Sequence, residues 1–180
     1  MWNLITDEDI KSLSVPDRLF AYADAYLEAA VATCASMAED PALEKWANAA
    51  VVLMITAHAV ELFIKGAILA RSPTASVWQH GHDLDDLASD YRSHFPESSF
   101  SWDIPFQTDF PTGLSGEEMK AIKKEMPPPS ILYRYPVQKG GDDWRGLFGF
   151  EAKSFLLLLS DISQDFQRIR TQLAMNSQDL

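Results

Sequence analysis

Residues 47–70 (ANAAVVLMITAHAVELFIKGAILA) are apolar almost throughout, yet they contain His58, Glu61 and Lys65. At about 100° per residue these three fall within an arc of roughly 60°, so a helix here carries one polar stripe. A helix that is hydrophobic all round is a buried one. Ionisable groups seldom sit inside a core without partners or a task. Glutamate four residues before lysine is the favourable order for an intrahelical ion pair. The stripe therefore predicts one of three things: a structural pair at the edge of the core with His58 satisfied nearby, the wall of a cleft, or an interface with a second subunit.

Two further segments carry chemistry-capable side chains. His80-Gly81-His82-Asp83 offers donor types suited to zinc or another transition metal, with His80 and His82 as candidate ligands. The other reading makes Asp83 a helix cap and lets His82 dock on the preceding helix. Tyr133-Arg134-Tyr135-Pro136, read as an extended segment, suits a ligand clamp or stacking platform formed by Arg134 and Tyr135. Arg134 is equally the cation that a buried Glu61 needs, and that use is preferred here. Cys34 lies among small residues on a predicted helix and reads as a packed thiol. Lys120, Lys123 and Lys124 read as solvated surface.

Composition narrows the field. A chain of 180 residues suits one domain, taken as 1–180, and 47% hydrophobic residues with five tryptophans argue against disorder. One cysteine excludes an intramolecular disulfide and a cysteine-based zinc cluster. A net charge of −11 works against a DNA partner, which needs a basic face. The single long apolar run contains Glu61 and Lys65, each costing about 2.5–3.5 kcal/mol near a bilayer centre. Asp7, Glu8 and Asp9 stand near the start, where a signal peptide would be basic. The expectation is a soluble, cytoplasmic protein with no membrane contact.

Patterning places the helices that hold these residues. A first helix is predicted over 16–39, capped near Ser14, with Leu19, Phe20, Ala23, Tyr26, Leu27, Ala30 and Val31 on its core face. Asp40-Pro41 restarts the chain into a second long helix ending near Arg71, before Ser72-Pro73, as an antiparallel hairpin with the first. A third runs from the Asp83 cap to about His94, with Leu84, Leu87, Ala88 and Tyr91 inward. Residues 96–113 lose periodicity but hold Phe100, Trp102, Phe106 and Phe110. Ser115-Gly116-Glu117-Glu118 forms a capping box for a short helix to Met126. The last helix, about 150–174, presents Phe155, Leu158, Leu159, Ile162, Phe166 and Ile169. The fold expected is all-α: an antiparallel bundle of four to five helices with an irregular aromatic-rich crossover before the last.

Ala-His-Ala-Val-Glu-Leu-Phe-Ile-Lys, then Gly-His-Asp-Leu, then Tyr-Arg-Tyr-Pro, in that order, resembles the HEPN-domain proteins (higher eukaryotes and prokaryotes nucleotide-binding). The resemblance covers roughly 47–136. It implies a helical bundle, frequent dimerisation, and a link to RNA, nucleotides or defence, including toxin–antitoxin systems. Many members are metal-independent ribonucleases marked by an arginine followed a few residues later by a histidine. Here Arg71 to His80 is wider than that spacing, Arg92 to His94 is tighter, and no histidine follows His94. The expectation is thus a binding or dimerisation module rather than an enzyme, without cofactor, whose partner is a protein, nucleotide or RNA. The alternatives are a divergent ribonuclease using Arg92 and His94, or a His80/His82 metalloenzyme. A homodimer is expected, because consecutive apolar residues 155–159 cover more than one side of the last helix. The competing arrangement is a monomer in which the aromatic crossover folds over Leu156 and Leu157.

Overall fold

The computed structural model describes residues 4–108, 112–125, 127–144 and 148–176. Phe110 and Met126 lie outside them. The helices are α1 (Glu8–Lys11), α2 (Val15–Glu39), α3 (Trp46–Arg71), α4 (Leu84–His94), α5 (Gly116–Glu125), α6 (Pro129–Leu132) and α7 (Ala152–Asn176). No strand occurs among the described residues. The fold is an all-α helical bundle.

Local chemistry sets the helix starts. The Ser14 hydroxyl accepts from the Asp17 amide while a proline occupies the first turn of α2. Ser115 and Glu118 close a reciprocal box at α5: the Ser115 amide donates to the Glu118 carboxylate at 2.8 Å, and the Glu118 amide donates back to the Ser115 hydroxyl. Asp40 does not start the long second helix. It accepts from the Ala42 amide and caps a 3₁₀ turn, Pro41–Leu43. The chain is then non-helical at Glu44 and extended at Lys45, and α3 begins at Trp46. A helix continuous from Pro41 would leave Asp40 alone to reverse the chain; the extra residues make the reversal.

Contacts fix the topology. Phe20 of α2 lies against Phe63 of α3, and Tyr26 lies against His58. Numbers rise on one helix as they fall on the other, so the two are antiparallel. Arg170 of α7 pairs with Asp24, and the Cys34 thiol donates to the Ala152 carbonyl at 3.2 Å, which sets α7 antiparallel to α2 as well. Cys34 is fully buried, and burial raises its pKa, with the Glu151 carboxylate adding to the shift. Phe63 and Phe166 stack with centroids 3.8 Å apart where α3 meets α7. The side chains of Phe20, Ala23, Leu27, Ala30, Cys34 and Met37 form the buried row of α2. Val31, expected inward, is partly exposed because it sits about 100° round from Ala30.

The aromatic crossover is pinned from two sides. The Tyr91 hydroxyl donates to the Phe100 carbonyl, and Arg168 of α7 donates to the Ser99 and Ser101 carbonyls. Trp102 then sits edge-on to Phe63, Tyr91 and Phe166. It does not cover α7 at Leu157, which is 70% exposed. Residues 131–137 are not extended: α6 occupies 129–132, and the Tyr135 amide still bonds the Ile131 carbonyl. The prolines before α6 supply a preset first turn rather than a strand.

Helix α3 is long and apolar enough to cross a membrane by length and composition, but 72% of its most apolar window is buried within the protein. It packs tightly on α2 at Gly66, where an added Cβ would come 2.9 Å from Phe20 Cε1 and 3.3 Å from Leu19 Cβ. Phe20 is held against Phe63 and cannot yield freely. Gly66→Ala gains up to about 1 kcal/mol of helix propensity but overpacks the α2–α3 seam at about 1–3 kcal/mol. The expected outcome in urea unfolding is a net loss of stability, larger still for Gly66→Val.

Candidate functional site

Glu61 is the centre of the polar stripe. It is 3% exposed and Lys65, one turn on, is 4% exposed. The Lys65 ammonium donates to Glu61 Oε1 at 2.7 Å and to the Gly81 carbonyl at 2.6 Å. Gly81 has φ +56°, a left-handed conformation that glycine adopts without strain and that lets the chain double back here. His82 follows, with Nδ1 3.0 Å from both Glu61 oxygens, and His58 Nδ1 lies 3.5 Å from Oε2. A carboxylate only accepts, so each imidazole hydrogen-bonded to it presents Nδ1–H. The Tyr26 ring meets His58 edge-on, and the Trp78 ring lies 5.5 Å from the Lys65 nitrogen.

The electrostatics follow from these contacts. Burial alone would raise the Glu61 pKa; hydrogen bonds from His58, Lys65 and His82, with the Lys65 charge, overcome it and hold the carboxyl at about 2. Glu61 and Lys65 thus form a buried ion pair, with His82 docked on α3. Arg134 is not the partner of Glu61; it is exposed and faces the Tyr135 ring at 6.0 Å. Its chain segment turns at α6 and meets α3 at the Trp46 end rather than at Glu61, whereas the loop after α3 already delivers His82.

Asp83 caps α4, accepting from the Asp85 and Asp86 amides. Its second oxygen accepts from Lys123 of α5 at 2.7 Å, and Lys123 also reaches Asp86. Lys123 is therefore a tether between α5 and α4, not free surface. Burial opposes ionisation of Asp83, but Lys123 and the two amides outweigh it and lower its pKa.

His80 turns away from His82. Its Nε2 lies 3.0 Å from Asp90, which also faces His94 Nδ1 at 3.3 Å. The candidate His80/His82 metal pair is not assembled, because positive φ at Gly81 sends the flanking side chains to different helices. Among the described residues, the group with metal-ligand spacing is instead His58, Glu61 and His82, whose ligand atoms lie within 4.8 Å of one another. Arg92 is exposed and two residues from His94, so the two side chains point to different sides of α4. They do not converge.

A second locus lies at the start of α3. Trp46 stacks on Phe148 at 5.9 Å and meets Tyr133 edge-on at 6.4 Å. These rings wall a cavity of about 540 Å³ that also takes in Arg134, Tyr135 and Asp143. Trp144 at its rim donates to the Tyr135 carbonyl at 2.7 Å, fixing that turn. Arg134 makes no ion pair among the described residues. Sequence reading singled out Arg134 and Tyr135 but missed Trp46 and Phe148. A tryptophan at the first position of an otherwise largely apolar helix was the available signal. Comparison with known family models, characterised proteins and solved structures returns no match for this chain.

The Glu61 cluster predicts a specific acid response. Its pKa is depressed from 4.5 to about 2, so its contribution is complete above pH 4.5 and is lost as pH falls toward 2. Glu61→Gln leaves Lys65 buried without its counterion and is expected to cost about 3–5 kcal/mol at neutral pH. The gap between wild type and variant should close as pH is lowered from about 4.5 toward 2 in urea titrations. A pH-independent gap would show that the charge on Glu61 is not what stabilises the cluster.

Proposed function

We propose that this protein is a HEPN-like helical binding module. Its ligand is a mononucleotide or a similar planar anion, held between the Trp46, Tyr133 and Phe148 rings. The observation that carries the reading is the aromatic-walled cavity with Arg134 at its edge, which makes no ion pair with the described residues and faces the Tyr135 ring. Aromatic faces hold a base by stacking, worth about 1–3 kcal/mol per base. A guanidinium pairs bidentately with phosphate oxygens. The overall charge of −11 opposes a long nucleic acid, whereas a mononucleotide asks only for one local cation. Titration with AMP and ATP, followed by tryptophan fluorescence and calorimetry, should show one site, with Arg134→Ala weakening it about tenfold. Absence of binding at millimolar nucleotide would defeat the proposal.

The same reading includes a two-fold homodimer. Leu157 projects from α7 at 70% exposure and the crossover leaves it uncovered. A second copy of α7 would bury it in a self-complementary contact. Light scattering should give twice the 20.2 kDa chain mass, returning to one chain mass in Leu157→Glu. A wild-type monomer at micromolar concentration would remove the dimer.

A further inference from the structure

We infer that His58, Glu61 and His82 form a binding site for a first-row divalent cation such as zinc. Two imidazoles and one carboxylate are a donor set suited to zinc, and three protein ligands leave one position open. His58 and Glu61 stand three residues apart on one helix, which fixes two ligands on a rigid support; helical bundles build metal sites in this way from inward-facing side chains. The third ligand comes from the loop before α4, held in place by the Lys65–Gly81 bond and the Asp83 cap.

Distances support the assignment. His58 and His82 Nδ1 lie 3.5 and 3.0 Å from Glu61 Oε2. Tetrahedral bonds of about 2.0–2.1 Å imply ligand separations of roughly 3.4 Å, which those two values bracket. The three ligand atoms lie within 4.8 Å of one another, and the remaining span closes by rotation of His82, whose side chain is 61% exposed. That exposure also gives the cation a path from solvent.

Lys65 shapes the site. It bonds Oε1 while both histidines face Oε2, so it orients the carboxylate, as hydrogen-bond partners of metal ligands do. Its positive charge also opposes the incoming cation, which sets the expected affinity in the micromolar range. On binding, each imidazole moves its proton from Nδ1 to Nε2, freeing the Nδ1 lone pair for the metal.

The test is calorimetric titration of the intact chain with Zn²⁺, paired with Co²⁺ absorption spectra that report coordination geometry. One ion per chain is expected, with a tetrahedral-type Co²⁺ spectrum. His82→Ala, which removes one donor to Glu61 but leaves its Lys65 pair in place, should weaken binding at least about tenfold while the chain stays folded by circular dichroism, as should His58→Gln. His80→Ala and His94→Ala, which alter the separate Asp90 pair, should bind as wild type. Absence of binding at 1:1 stoichiometry, or binding indifferent to His82→Ala, overturns the inference. So does binding lost in His80→Ala but kept in His58→Gln, which would assign the ion to the histidines flanking Gly81.

Discussion

A carboxylate buried at Glu61 is tolerable only while every lone pair it presents has a donor, and meeting that demand organises the loop between α3 and α4. An ionised group taken out of water without partners costs several kcal/mol, more than most single contacts return. Lys65 supplies the charge from the same helix, but an ammonium has three donors and needs acceptors of its own. The Gly81 carbonyl meets that need. His82, the next residue, is then delivered to the free side of Glu61. Asp83 follows as the α4 cap and collects Lys123. One buried charge thereby fixes where α4 starts and where α5 is tethered. The apolar packing of Leu84, Leu87 and Tyr91 holds α4 in place once that start is set.

Much of this was legible in the residues because it is local. The Ser14, Asp83 and Ser115 caps are settled within one helical turn, and the buried faces of α4 and α7 follow helical spacing. The Glu61–Lys65 pair is likewise an i,i+4 contact. What was not legible depends on where distant loops arrive. Arg134 and His82 were both chemically acceptable partners for Glu61. Only the backbone turn at Gly81 and the helical turn at 129–132 decide between them. The break between Asp40 and Trp46 was hidden for a related reason. Asp-Pro is a good helix start in isolation, but the three-residue turn it caps is set by the need to reverse the chain.

The exposed aromatics follow a different logic from the buried ones. Trp102 and Phe166 sit where three elements meet and are explained by packing. Trp46 is 45% exposed and Tyr135 52% exposed, although burying either would be favourable at about 25 cal/mol per Å² of apolar surface. Tyr133 and Phe148 bring further rings to the same place without closing it. Several amphipathic rings grouped around an open cavity beside the exposed Arg134 guanidinium constitute more than scattered surface hydrophobicity, which is ordinary on a monomer.

Both loci hang from α3, and that helix determines how they relate. Trp46 and Glu61 are fifteen residues apart on it, a rise of about 22 Å, so no small ligand touches both. Between them the helix is packed by α2 and α7 through Val52, Ala59, Val60 and other fully buried side chains. A close-packed helix of this kind moves as a unit. Occupancy at the aromatic end therefore reaches Glu61 only by shifting the whole helix against α2, and the tight Gly66–Phe20 approach resists that motion. The two proposed sites are expected to act independently on one rigid scaffold. Acid that protonates Glu61 would loosen the loop carrying Gly81 and His82 before it disturbs the rings around Trp46.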